Sequence, residues 1–166
     1  MGSILTWLES TAFSTWMRES PSVFAFPAIL SCHTVGMGLV AGINAVLALR
    51  ILGAASAVPI RELKRFMPVM WFGFWLNAIS GVALLVAYPT KALTNPVFYL
   101  KLALIAIAVW LASLIGGRLF GGSTPSDGAP SAAVKRLAAA SLVCWAGAIT
   151  AGRLLAYTYT RLMMTF

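Results

Sequence analysis

The stretch that decides the fold is residues 22–49, SVFAFPAILSCHTVGMGLVAGINAVLAL, which contains no Asp, Glu, Lys or Arg. As an α-helix it would measure about 42 Å, enough to cross the ~30 Å of bilayer hydrocarbon with some tilt. Arg50 and Gly53 close it. Three further apolar runs follow, from about Met67 to Tyr88, Val97 to Ile115 and Val134 to Tyr157. Short polar stretches separate them, so the fold predicted is an all-α integral membrane four-helix bundle.

Composition agrees. The chain has 166 residues, of which 60% are hydrophobic and only 10% charged, with a mean hydropathy of +0.89. A soluble domain of this length cannot keep so large an apolar fraction away from water. The net charge of +8 lies mostly at the ends of apolar runs, which suits topology and anionic lipid headgroups rather than nucleic acid. Cys32 and Cys144 have no metal-ligand or CxxC spacing and read as small buried hydrophobes.

Ahead of the first span, residues from about 3 to 19 alternate apolar Leu5, Leu8, Phe13 and Trp16 with polar Glu9, Ser10, Ser14 and Arg18. With Trp7, they read as an amphipathic helix along the membrane interface. No basic segment precedes an early apolar core, so a cleaved signal peptide is not expected. Residues 116–133, GGRLFGGSTPSDGAPSAA, read as a flexible loop. Arg50, Arg61, Lys64, Arg65, Arg118, Lys135 and Arg136 fall on one side, against Arg18, Lys91, Lys101, Arg153 and Arg161 on the other. The positive-inside rule then places both termini outside.

His33 is the only histidine. It falls about eleven residues into the first span, roughly 16 Å deep, where an imidazole needs a partner. Met37, Val40 and Asn44 share its face within about 40°, and Gly36 flanks it about 60° away. A side-chain-free position beside an imidazole suits a haem packed on a helix. A proton relay and a structural interhelical hydrogen bond remain open alternatives. Six-coordinate haem b usually takes two imidazoles, and Met37 lies on the same helix as His33. The second ligand would therefore come from a symmetry mate or another subunit.

Arg153, one turn before Tyr157, has no acidic partner within any span; it snorkels, or holds an anion such as a haem propionate. Gly38 and Gly42 form a GxxxG roughly 140–180° around the helix from His33, a face suited to helix packing. In the second span, Trp71 and Trp75 share a face that serves as an aromatic belt or walls a quinone pocket. Gly73, Asn77 and Gly81, with Ser80 beside them, mark a close helix contact, and Asn77 is placed to pair with His33. A Ser-His-Asp set, paired intramembrane carboxylates, a P-loop and HExxH are all missing, so an autonomous enzyme is not expected.

Several short motifs add a resemblance. They are Trp16 with Glu19-Ser20-Pro21, Pro27, His33-Thr34-Val35-Gly36, Leu49-Arg50-Ile51-Leu52-Gly53, Asn95-Pro96-Val97-Phe98 with Lys101, and Gly152-Arg153-Leu154-Leu155-Ala156-Tyr157. Together they resemble a family of small, uncharacterised bacterial four-span membrane proteins across nearly the whole chain. The resemblance implies a four-helix bundle in the inner membrane and brings no activity with it. Family members often carry an acidic residue where Leu30 stands and another at Ala48, so His33 and Arg50 here lack those carboxylates. Single-histidine spans are also loosely similar to membrane b-type cytochromes.

Two main expectations follow. One is a membrane subunit holding haem b through His33, with Gly36 making room and Arg153 anchoring propionates, that passes electrons between quinol and a redox partner. The other is a non-catalytic assembly subunit, homo-oligomeric or bound to another membrane protein. A small solute pore or carrier is a weaker third, since broken helices within a repeat and acidic gating residues are lacking.

Overall fold

A computed structural model describes residues 2–54, 56–121 and 130–163. Two short helices, α1 (Gly2–Glu9) and α2 (Ala12–Glu19), lead into α3 (Phe26–Leu52). A 3-10 turn at Ile60–Phe66 opens α4 (Met67–Ala87), and α5 (Pro89–Leu93) links it to α6 (Pro96–Phe120) and α7 (Ala132–Met163). The described residues contain no strand. Four segments are long and apolar enough to cross a membrane: Phe26–Leu52, Ile60–Ala87, Pro96–Phe120 and Ala132–Leu155.

The amphipathic segment is two helices rather than one. Ser10 Oγ donates to Trp7 O at 2.8 Å and Thr11 Oγ1 to Leu8 O at 2.8 Å, after which Thr11 Oγ1 accepts from Ser14 N at 3.3 Å. Local side-chain bonds of this kind end one helix and cap the next. The polar side of α2 also turns inward. Ser14 is fully buried, while Phe13 and Trp16 are exposed. Ser14 Oγ donates to the carbonyls of Val86 and Ala87, each at 3.1 Å, and Arg18 donates to Ala87 O at 3.0 Å. These oxygens belong to the last turn of α4, which has no intrahelical donors left for them.

The first span begins at Phe26 and runs past Leu49 to Leu52. Gly53 ends it at φ 111°, a left-handed conformation open to glycine without steric cost. Its N–H bonds to Arg50 O, and that of Ala54 to Leu49 O at 2.9 Å. Arg50 then clasps the turn, donating to the carbonyls of Val58 and Ser56. Residues 116–121, expected as loop, are the end of α6 and its cap, because Gly116 and Gly117 stay helical. The centre of the expected loop, 122–129, lies outside the described residues.

The tightest pairs are the hairpins α3–α4 and α6–α7, joined through α3 and α7. No comparable backbone approach links α4 and α6. Each long helix contributes a stripe at three- and four-residue steps. On α6 it runs through Ala108, Leu111, Ala112 and Ile115, and on α7 through Val134, Ala138, Ser141, Trp145 and Ala148, all buried. Of these, Ala108, Ala112, Ile115, Val134, Ala138 and Trp145 meet Val40, Leu47, Ala48 and Ile51 of α3 in two apolar clusters. One polar bond crosses the core, from Ser141 Oγ to Asn44 Oδ1 at 2.8 Å. Cys32, expected in the interior, is exposed on the outer face of α3 and Cys144 is half-buried.

The described N-terminal helices and the end of α7 lie at one end of the bundle. There α2 sits on the close of α4, and Asn95 Nδ2 donates to Thr158 Oγ1 of α7 at 2.8 Å.

Candidate functional site

His33 lies seven residues after the first residue of α3, about 10 Å along the helix, nearer the termini-bearing end than its position in the apolar run suggests. It faces α4. Its Nδ1 is 3.0 Å from the carbonyl oxygen of Asn77 and 3.3 Å from Ser80 Oγ. Asn77 Nδ2, a donor, is also 3.3 Å from Nδ1, but it is closer to His33 O at 2.8 Å, and a backbone carbonyl only accepts, so the shorter 3.0 Å contact favours the tautomer in which Nδ1 carries the hydrogen. The side chain of Asn77 answers, with Nδ2 donating to the backbone oxygen of His33 at 2.8 Å. Ser80 Oγ donates to Leu76 O at 2.6 Å. The pairing of His33 with Asn77 expected from their spacing is therefore present, and it is reciprocal.

With Nδ1–H fixed on Asn77, the lone pair of a neutral imidazole sits on Nε2. That nitrogen makes no hydrogen bond to any described residue. Fixing the tautomer through a backbone carbonyl is how ligating histidines are commonly oriented.

Gly36 and Gly73 explain why the imidazole reaches α4 at all. A Cβ on Gly36 would lie 2.6 Å from Asn77 N and 2.8 Å from Gly73 O, and one on Gly73 would lie 2.6 Å from Leu39 Cβ. The two backbones touch here, a contact open only to glycine. Gly81 leaves space for the ring itself, since a Cβ there would stand 3.1 Å from His33 Cε1. This corrects one expectation. Gly36 makes room for the backbone of α4, and no macrocycle fits in the space that α4 already fills. Met37 is half-buried against the cluster of Val40, Ala41 and Met70.

Arg153 is exposed on α7 and forms no hydrogen bond or ion pair with a described residue. It stands one residue off the inward stripe. Gly152, its neighbour, is on that stripe and supports Lys101 of α6: Cδ, Cε and Nζ of Lys101 are 3.8, 3.7 and 3.8 Å from where a Cβ of Gly152 would be. Lys101 continues the inward stripe of α6, three residues before Leu104 and seven before Ala108. Reading the sequence alone places Lys101 at a span entrance and misses it as a site residue. The signal that could have found it is its register with Leu104, Ala108 and Leu111.

Trp71 and Trp75 point outward, Trp75 with 60% of its surface exposed, and stack edge-on with Phe74. That arrangement suits a belt: Trp71 and Phe74 border only a crevice of about 10 Å³ with Met70 and Trp145, and Trp75 does not line it. A Cβ added to Gly38 or Gly42 would meet nothing within 4 Å. The two glycines border an open apolar groove of about 280 Å³ with Leu63, Phe66 and Met67. Among the described residues no three His, Cys, Asp or Glu side chains gather as a metal site. No protein-family model, curated protein or solved structure matches the chain.

Proposed function

We propose that this chain is a small subunit of the bacterial inner membrane that holds haem b through His33 Nε2 and serves electron transfer between quinol and a partner redox protein. One observation carries the reading: His33 Nδ1 is fixed on the Asn77 carbonyl at 3.0 Å, which leaves Nε2 as the basic, unpartnered nitrogen. Asn77 and Ser80 hold the ring plane, and Gly81 gives it clearance. When bound, the haem supplies one-electron chemistry at the iron. Of the chain's own residues, His33 is the one that would hold the iron, through Nε2. A second ligand would come from a partner subunit or a symmetry mate, because His33 is the sole histidine and Met37 lies on the same helix, half-buried against the cluster of Val40, Ala41 and Met70. Both termini face outward, by the surplus of Lys and Arg at the opposite end.

The test is a visible spectrum of the protein purified with its native partners in mild detergent. A Soret band that disappears in His33→Ala while the helical signal persists is the expected result. A colourless wild-type preparation that also fails to bind added haemin removes the reading.

A second reading, a non-catalytic assembly subunit, is favoured by the bare face of α3 at Gly38 and Gly42. A GxxxG face is self-complementary across a two-fold axis, so the occupant is a second copy of this chain. Disulfide trapping between chains carrying Gly42→Cys in a Cys-free background supports it, and failure of that cross-link in native membranes rejects it.

A further inference from the structure

We propose that Lys101, laid across α6 onto Gly152 of α7, binds the oxyanion of an amphiphile, a carboxylate or phosphate, at the termini-bearing end of the bundle.

The argument begins with register. Lys101 lies on the same stripe as Leu104, Ala108 and Leu111, and Gly152 on the same stripe as Ala148, Trp145 and Ser141. A lysine at this position would ordinarily send its long stem along the helix toward the headgroups. Here the last three atoms of the side chain instead rest on the backbone of α7 at 3.7–3.8 Å from the missing Cβ of Gly152. The residue is half-buried and makes no hydrogen bond to a described residue.

Charge accounting supplies the second step. Of the four acidic residues, Glu9, Glu19 and Asp127 lie outside the membrane-crossing segments, and Glu62 sits in the 3-10 turn that opens the second one, at the opposite end of the bundle from Lys101 and 3.9 Å from Arg65. Glu9 is engaged at the start of α5, where Oε1 accepts from Thr90 N at 3.4 Å, and Glu19 closes α2. A cation held inside a bundle without a carboxylate demands compensation from something bound. Arg153, next to Gly152 and exposed on the outer side of α7, adds a second positive charge at the same height and attracts the same chemistry.

Two sources carry such an oxyanion: a phospholipid headgroup, and a propionate of the haem proposed above. The site stands whether or not His33 binds iron, so the two proposals fail separately.

The experiment uses the full chain in nanodiscs and native mass spectrometry. One arm compares retention of phosphatidylglycerol with phosphatidylcholine, and the other titrates haemin and reads retained mass and Soret absorbance. Lys101→Met keeps the stem on Gly152 and removes the charge, Lys101→Arg keeps the charge, and Gly152→Leu pushes the side chain off its shelf while leaving the lysine. The expected result is about a tenfold loss of retained ligand in Lys101→Met and Gly152→Leu, and retention in Lys101→Arg. A loss in the phosphatidylglycerol arm assigns the site to a phospholipid phosphate, and a loss in the haemin arm alone assigns it to a propionate. Wild-type and Lys101→Met proteins that behave alike in both arms overturn the proposal. So does a wild type that retains neither ligand.

Discussion

Gly36 of α3 and Gly73 of α4 meet backbone to backbone, and a Cβ on Gly36 would stand 2.8 Å from Gly73 O and 2.6 Å from Asn77 N. The atoms in the way are main chain, so no rotamer change relieves them. Gly36→Ala is expected to force the helices apart and destabilise the protein by about 1–3 kcal/mol, the usual range for overpacking. Gly38→Ala, on the open face of the same helix, is expected to leave the monomer unchanged. Thermal unfolding in one detergent compares them, and equal melting temperatures for the two variants contradict this backbone crossing.

The hydrogen bonds between His33 and Asn77 are of two kinds, and mutation separates them. Asn77→Ala removes the amide that donates to His33 O at 2.8 Å but leaves the Asn77 carbonyl that receives Nδ1–H. A loss of about 1 kcal/mol in stability is expected, in line with other interhelical bonds in membranes. The imidazole tautomer should survive. Nitrogen-15 chemical shifts of the histidine ring check this directly: a protonated Nδ1 and bare Nε2 in both proteins is the expected pattern, and an Nε2–H tautomer in wild type refutes the geometry.

Much of the bundle is legible in the sequence because lipid imposes long uninterrupted apolar runs, and residues 22–49 carry that constraint plainly. The partnership of His33 with Asn77 is also legible, since two polar groups at similar depth on adjacent helices must find each other. The direction of Gly36 is not. A glycine beside an imidazole looks the same in sequence whether a ligand or a backbone fills the gap, and only the position of α4 decides. The split of the first helix depends on Ser10 and Thr11 choosing local carbonyls over the helix. Average hydrophobicity does not register that choice. Lys101 escapes the sequence for a related reason: its distance from Pro96 suggests an interface, whereas its register along α6 points inward.

The core bond from Ser141 to Asn44 makes a prediction whose sign depends on which side is removed. Ser141→Ala leaves the Asn44 oxygen buried without its donor, at an expected cost of about 1–2 kcal/mol. Replacing both, with Asn44→Leu and Ser141→Ala together, removes the unmet acceptor and is expected to recover most of that loss. Urea or heat titration of the three variants measures the non-additivity, and a double variant weaker than the sum of the singles speaks against a shared bond.

Arg18 offers the clearest test of how the N-terminal helices are held. Its guanidinium reaches Ala87 O at 3.0 Å, Ser14 Oγ at 2.8 Å and Glu9 O at 2.6 Å, so one side chain ties α1, α2 and the end of α4 together. The positive charge also sits at the negative end of the α4 dipole, which favours it further. Arg18→Met keeps most of the stem and removes every one of these donors. The middles of α3 and α7 do not depend on the latch, since α1 and α2 pack on α4 and α5. Hydrogen exchange is therefore expected to accelerate by about tenfold or more in Ala12–Glu19 and to stay unchanged in the middle of α3 and α7. Arg18→Lys should restore part of the protection, because it supplies the charge without the fork that reaches three acceptors. If the α2 amides of Arg18→Met exchange as slowly as those of the wild type, lipid rather than this latch holds the segment in place.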